Sequence, residues 1–190
     1  MTSVLDHLEA FVGDIVGGWR HDADGNPLPF QVVQTKGGPY EGTVTFSTLG
    51  LSKMPLADRS EGQEHGPIRQ ELVILVPKEA VPRNVVGILQ QAGMEAIERG
   101  LAYLRGDVVG PKGALFEGCE PKALYVSMPV YFPDAFAAVT TEESGRVVFA
   151  WLIPILDGEF HLWHTHGWPA LERKMMDDHP DLVDYRRKSA

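Results

Sequence analysis

The sequence predicts a mixed α+β fold: a mostly antiparallel central sheet flanked by helices. Three observations lead there. Residues 147–156 carry no polar side chain, are rich in Val and Ile, and contain Pro154. Proline would break a helix, and a half-exposed strand would alternate, so this run reads as a strand covered on both faces. Four more strand-like runs, at 28–35, 43–49, 68–76 and 123–130, are not regularly separated by helical ones. That spacing favours antiparallel pairing over repeated strand–helix–strand units. Finally, two stretches carry apolar residues at the helical period.

The first is N-terminal. Val4, Leu5, Leu8, Phe11, Val12, Ile15 and Val16 fall on one helical face, with Thr2 or Ser3 as cap and Gly17-Gly18 as stop. The cluster 22–27 is a turn. It has the start of a calcium loop, but the ligand series stops at Asn26 and no acid stands at the twelfth position. Residues 28–35 and 43–49 are strands. The segment 51–67 then mixes Gly, Ser, Pro, Asp, Glu and His with little periodicity, and a loop of this length is usually functional or disordered. Residues 68–76 form a largely buried strand closed by Pro77.

The second helix runs from Pro82, which suits a first turn, to about Arg105, with Gly106 as its stop. Gly93 lies on its apolar side and costs about 1 kcal/mol against Ala, which predicts a close approach there. A short strand is expected at Val108-Val109, and Pro129 interrupts the run 123–130. Beyond the strand 147–156, where Pro154 should end regular pairing on one side, Asp157-Gly158 is read as a turn. A His- and Trp-rich segment, 159–168, leads to a short helix with Trp168, Leu171 and Met175 on one face.

Composition fits an ordinary globular protein, with 44% hydrophobic and 23% charged residues, and the 190 residues (1–190) are expected to form one domain. A chain of this length can bury roughly 70% of its unfolded surface. The net charge of −9 argues against a nucleic-acid partner and suits a basic protein one. One cysteine, Cys119, excludes an internal disulfide and fits a reducing compartment. There is no signal-like N-terminus and no apolar run of membrane-spanning length, so a cytoplasmic protein is expected.

Chemical motifs are few. His161, His164 and His166 could hold zinc or iron. On a helix, however, His166 leaves the face shared by the other two; on a strand, His161 does. Cys119 stands between Glu117 and Glu120, the wrong sign for a reactive thiolate. The serines lack the Gly-x-Ser-x-Gly elbow, and there is no Gly-x-Gly-x-x-Gly or phosphate loop. Residues 184–188 read as a solvated tail or, alternatively, as an arginine pairing with a carboxylate of the domain.

The ordered pieces resemble the suppressor of fused family. Thr48-Leu49-Gly50-Leu51-Ser52 is similar to the family's Gly-Leu-Ser/Thr segment, and a strand with Glu71-Leu72 follows a loop. Gly106-Asp107-Val108 is similar to its Gly-Asp after the long helix. Then come Trp151-Leu152-Ile153-Pro154-Ile155, the Gly167-Trp168 helix and the closing residues 181–187. The resemblance covers roughly residues 28–188. It implies a bacterial-type, single-domain member, unlike the animal protein with its additional C-terminal domain. It further implies a domain that binds another protein, without catalysis and without a cofactor. Bacterial relatives are often proposed as immunity proteins that neutralise a toxin, and the acidic balance here suits a basic toxin. The expected binding surface is the loop 52–66 with Asp58, Glu61 and Glu64, joined by His164 and Trp168. The competing class is a metal-dependent enzyme using His161, His164 and His166, and a third is an assembly subunit of unknown oligomeric state.

Overall fold

The computed structural model describes residues 2–59, 66–111 and 113–189. Its centre is an eight-stranded sheet in the order β1 (Ile15–His21), β2 (Pro27–Thr35), β3 (Thr43–Leu49), β4 (Arg69–Pro77), β8 (Gly145–Ile155), β6 (Ala123–Ser127), β5 (Val108–Val109). Every pairing is antiparallel except β4–β8 at the centre. The expected mostly antiparallel sheet flanked by helices is therefore what forms. β7 (Ala138–Thr141), which has no strong sequence signal, shares with β6 the edge of β8 away from β4.

The unbroken apolar run of β8 has a direct cause. Ala150 and Leu152 enter one core, whereas Val147, Phe149, Trp151, Ile153 and Ile155 enter the other. β4 divides likewise, with Leu72, Ile74 and Val76 on one face and Val73 and Leu75 on the other. Helix α2 (Val85–Arg99) covers the first face through Leu89, Ala92 and Ala96. The second face is covered by Leu8 and Val12 of α1 (Val4–Val12), by Phe132 and Phe136, and by Leu171 of α4 (Trp168–Asp178). Pairing of β4 with β8 stops at Trp151, short of Pro154, while β6 pairs on to Ile155.

Several boundaries differ from expectation. The first helix ends at Val12, not Val16: Gly13 adopts φ 80° and donates its N–H to Glu9 O. Ile15 and Val16 then belong to β1, where pairing with β2 outweighs the helical period, and Gly17-Gly18 lie inside a strand. The N-cap is Ser3, which exchanges hydrogen bonds with Asp6. Helix α2 stops at Arg99 because Gly100, at φ 63°, closes it through the carbonyls of Ala96 and Ile97. Leu101 leaves the helix to bridge Ala57. Asp157-Gly158 is no turn but the first turn of α3 (Asp157–His166), and Gly167 at φ 80° separates α3 from α4. The close approach predicted at Gly93 is present: a Cβ there would stand 2.9 Å from Phe30 Cε1. Among the described residues no helix is long and apolar enough to cross a membrane.

Candidate partner-binding surface

The loop after β3 is fastened at both ends. At its start, residues 48–52 wrap the carboxylate of Glu71, which is fully buried on β4. Its Oε2 accepts from Thr48 Oγ1 at 2.6 Å, and its Oε1 accepts from Gly50 N at 2.9 Å, Ser52 N at 3.1 Å and Ser52 Oγ at 2.7 Å. Burial pushes the Glu71 carboxyl up, against the four hydrogen bonds, which pull it down. Arg69 Nη1 donates to the carbonyls of Ser52 and Lys53 at 2.9 and 3.1 Å. Farther on, Leu56 is buried and exchanges backbone hydrogen bonds with Ile68, and Ala57 bridges Leu101. The expectation of an unstructured loop over 51–67 is corrected for these parts: buried apolar and hydrogen-bonding groups hold them.

Asp58 follows, half-buried, next to Arg59. Arg59 Nη2 donates to Asp107 Oδ2, which also accepts the Leu104 N–H at 2.8 Å. The Gly106-Asp107 turn is thus where the loop meets the sheet edge. Gly106 has φ 96°, and a Cβ there would stand 2.6 Å from Trp168 Cγ and Cδ1. Only glycine gives both the left-handed backbone and room for the indole. Trp163 Nε1 donates to the Gly106 carbonyl at 2.8 Å, and the Arg105 guanidinium stands 5.0 Å from the Trp168 ring centroid.

Arg105 also grips Glu172 of α4 with two hydrogen bonds, Nε to Oε1 at 3.0 Å and Nη2 to Oε2 at 2.5 Å, and Tyr125 Oη donates to Glu172 Oε1 at 2.7 Å. Burial raises the Glu172 carboxyl, but the Arg105 and Tyr125 hydrogen bonds win and hold it below the usual range. The start of α4 is therefore fixed against the 101–107 segment.

Of the expected binding residues, Trp168 packs on Gly106, and Asp58 lies between Ala57, which bridges Leu101, and Arg59, which bonds Asp107. Trp168 is 39% exposed. His164 is exposed on α3, one residue past the docked Trp163, with its ring stacked on Phe160 at 6.1 Å between centroids. Glu61 and Glu64 lie outside the described residues. His161 and His166 are exposed as well, and among the described residues no three His, Cys, Asp or Glu side chains form a group that could hold a metal ion. The sequence reading missed Arg105 and Glu172 as a pair, because residues on different elements leave no periodic mark. The tail gives a clear outcome: Arg187 donates through Nη1 and Nη2 to Glu159 Oε1 and Oε2, both at 2.6 Å, and through Nη2 to the Pro154 carbonyl at 3.0 Å. It is the paired arginine, not a solvated end.

The comparisons agree with this architecture. The family model described as Suppressor of fused protein (SUFU) matches residues 26–188. A SUFU homologue from Neisseria gonorrhoeae FA 1090 superposes with a TM-score of 0.75 at 21% identity, covering 98% of this chain and 93% of that one. A chain of a Sufu–Fu complex superposes at 0.67 with 15% identity, covering 98% of this chain and 90% of that one. Drosophila Suppressor of Fused superposes at 0.61 with 15% identity, and there the match spans 85% of this chain but 43% of the other. No curated protein matches the sequence. Thr48–Ser52 closes on Glu71, Gly106 on Trp168, and residues 184–187 on the end of β8, so the segments of the resemblance meet in space as well as in order, and the chain belongs to the suppressor of fused family.

Proposed function

We propose that this chain acts as one non-catalytic, cytoplasmic protein-binding domain, an immunity protein that masks a basic toxin. The observation that carries protein binding is the membership of a family in which a chain of the same fold occurs in a Sufu–Fu complex. The net charge of −9 supports a basic partner by complementarity. The binding surface is the rim of the Gly106-Asp107 turn, with Asp58 and Trp168 beside it, extended by His164 and by Glu61 and Glu64. An exposed tryptophan braced by a neighbouring arginine and glycine is the kind of rigid anchor that dominates interfaces.

The test is capture from a lysate of the source cells with this protein as bait, then titration calorimetry with the captured protein. The expected result is a stoichiometric basic protein whose toxic activity the chain suppresses, with affinity that falls as salt rises. Trp168→Ala and Asp58→Ala should each weaken binding by about 10-fold. An empty capture, together with stoichiometric zinc or iron in untagged bait, would overturn the reading in favour of a metal-dependent enzyme.

A further inference from the structure

We infer that a notch between Tyr40, Tyr131 and Asp181, on a part of the surface separate from the Gly106-Asp107 rim, receives an arginine or lysine side chain of a basic protein partner. The inference rests on the protein-binding reading and adds a second point of contact to it. Tyr40 projects from the β2–β3 connection and Tyr131 from the segment after β6; they are 46% and 36% exposed. Their rings meet edge to face, 6.2 Å apart at 64°. Tyr131 is in turn held against the buried Trp151, with centroids 4.8 Å apart. With His179, Pro180 and Asp181 the two tyrosines line an open notch of about 450 Å³.

Asp181 supplies the charge. Its Oδ1 accepts the backbone N–H groups of Val183 at 3.0 Å and Asp184 at 3.3 Å, which fixes the carboxylate before any ligand arrives. Among the described residues no cation forms an ion pair with it; of the two arginines in the same tail segment, Arg186 pairs with Asp184 and Arg187 with Glu159. Burial raises Tyr40 and Tyr131 above the ordinary phenol range and the field of Asp181 adds to it at both, while a backbone hydrogen bond with Leu182 and the Arg187 charge pull Tyr131 partly back. Two angled aromatic rings and a fixed carboxylate around an open space match the chemistry of a cation with an apolar stem. An anionic lipid headgroup would meet the carboxylate as a like charge, and a second copy of this chain brings a net charge of −9.

The experiment uses small probes, so it does not depend on finding the natural partner. Acetyl-arginine-amide is titrated into the ¹⁵N-labelled protein, with acetyl-citrulline-amide as a neutral probe of the same shape. The expected result is saturable shifts around Tyr40, Tyr131 and Asp181 with the arginine probe and none with citrulline. Asp181→Asn, which keeps the oxygen that holds the turn, and Tyr40→Ala should each weaken binding about 2- to 5-fold. Equal response to citrulline, shifts confined elsewhere, or unchanged affinity in both folded variants would overturn the inference. So would binding of phosphatidylserine vesicles, or concentration-dependent self-association, through these residues. If the notch binds arginine but no partner is ever captured, the notch stands and the immunity reading fails; the reverse result removes the notch alone.

Discussion

Replacing Gly106 with alanine tests whether the turn and the indole are built around each other. Two costs add. The left-handed backbone, at φ 96°, costs a non-glycine residue about 1–2 kcal/mol. The new Cβ stands 2.6 Å from Trp168 Cγ and Cδ1 and 3.1 Å from Trp168 Cβ, so the near end of the side chain must move. Such overpacking costs about 1–3 kcal/mol. The combined loss of about 2–5 kcal/mol lowers Tm by roughly 4–20 °C at about 2–4 °C per kcal/mol for a chain of this size. Gly100→Ala is the control: Gly100 is also left-handed, at φ 63°, but nothing stands within 4 Å of its Cβ position. It should lose only the backbone share of about 1–2 kcal/mol. Urea unfolding measures both, and tryptophan emission should change in the native state of Gly106→Ala alone. Equal losses in the two variants, with unchanged emission, would refute the argument that Trp168 is seated on Gly106.

Three further outcomes follow from the packing. Trp151→Ala should cost about 3–5 kcal/mol by chemical unfolding, because a fully buried indole at the central strand leaves a cavity; a loss below about 1 kcal/mol would mean that β8 is not central. Arg187→Met leaves the buried Glu159 carboxylate without its bidentate partner and should cost about 3–5 kcal/mol, part of which the double variant with Glu159→Met should recover. Glu71→Gln tests the sign of a buried carboxylate. Since the folded chain holds the Glu71 proton to higher pH than the unfolded chain, this group favours folding below the ordinary glutamate range and loses that contribution as pH rises through its raised folded value. The stability of the wild type relative to Glu71→Gln, followed from about pH 4 to 8, should therefore fall with rising pH, and a rising difference would contradict it.

Much of this fold is legible because burial leaves a local mark. The strands β2, β3, β4 and β8 announce themselves by β-branched and apolar runs, and the requirement for glycine at position 93 follows from its place on an apolar helix face. Where the reading fails, two local signals compete. Ile15 and Val16 continue the helical period of α1, but Gly13 can end a helix as well as Gly17 can. Gly100 and Gly106 are both acceptable helix stops, and only tertiary contacts give each its role: one caps α2, the other admits Trp168. The site is less legible still. Asp58 and Trp168 were recognisable as an acid and an aromatic on candidate surface segments. The pairs Arg59–Asp107 and Arg105–Glu172, which place them, join residues far apart in the chain, and no spacing rule connects such positions. Glu71 shows the same limit: an acid within an apolar strand is visible, but the donors that enclose it come from residues 48–52 on a different element.

The parallel pairing of β4 with β8 also sets the order in which this chain can be completed as it is made. β4 meets β3 soon after synthesis, but its other edge waits for β8, which emerges only after α2, β5, β6 and β7. At about 5–20 residues per second that interval lasts several seconds. Throughout it, the row Gln70, Glu71, Leu72 and Val73, fully enclosed in the finished sheet and paired there with β8, belongs to an open edge strand. The nascent chain is thus most prone to aggregation between the completion of β4 and that of β8, and a chain truncated before Gly145 would expose that edge permanently.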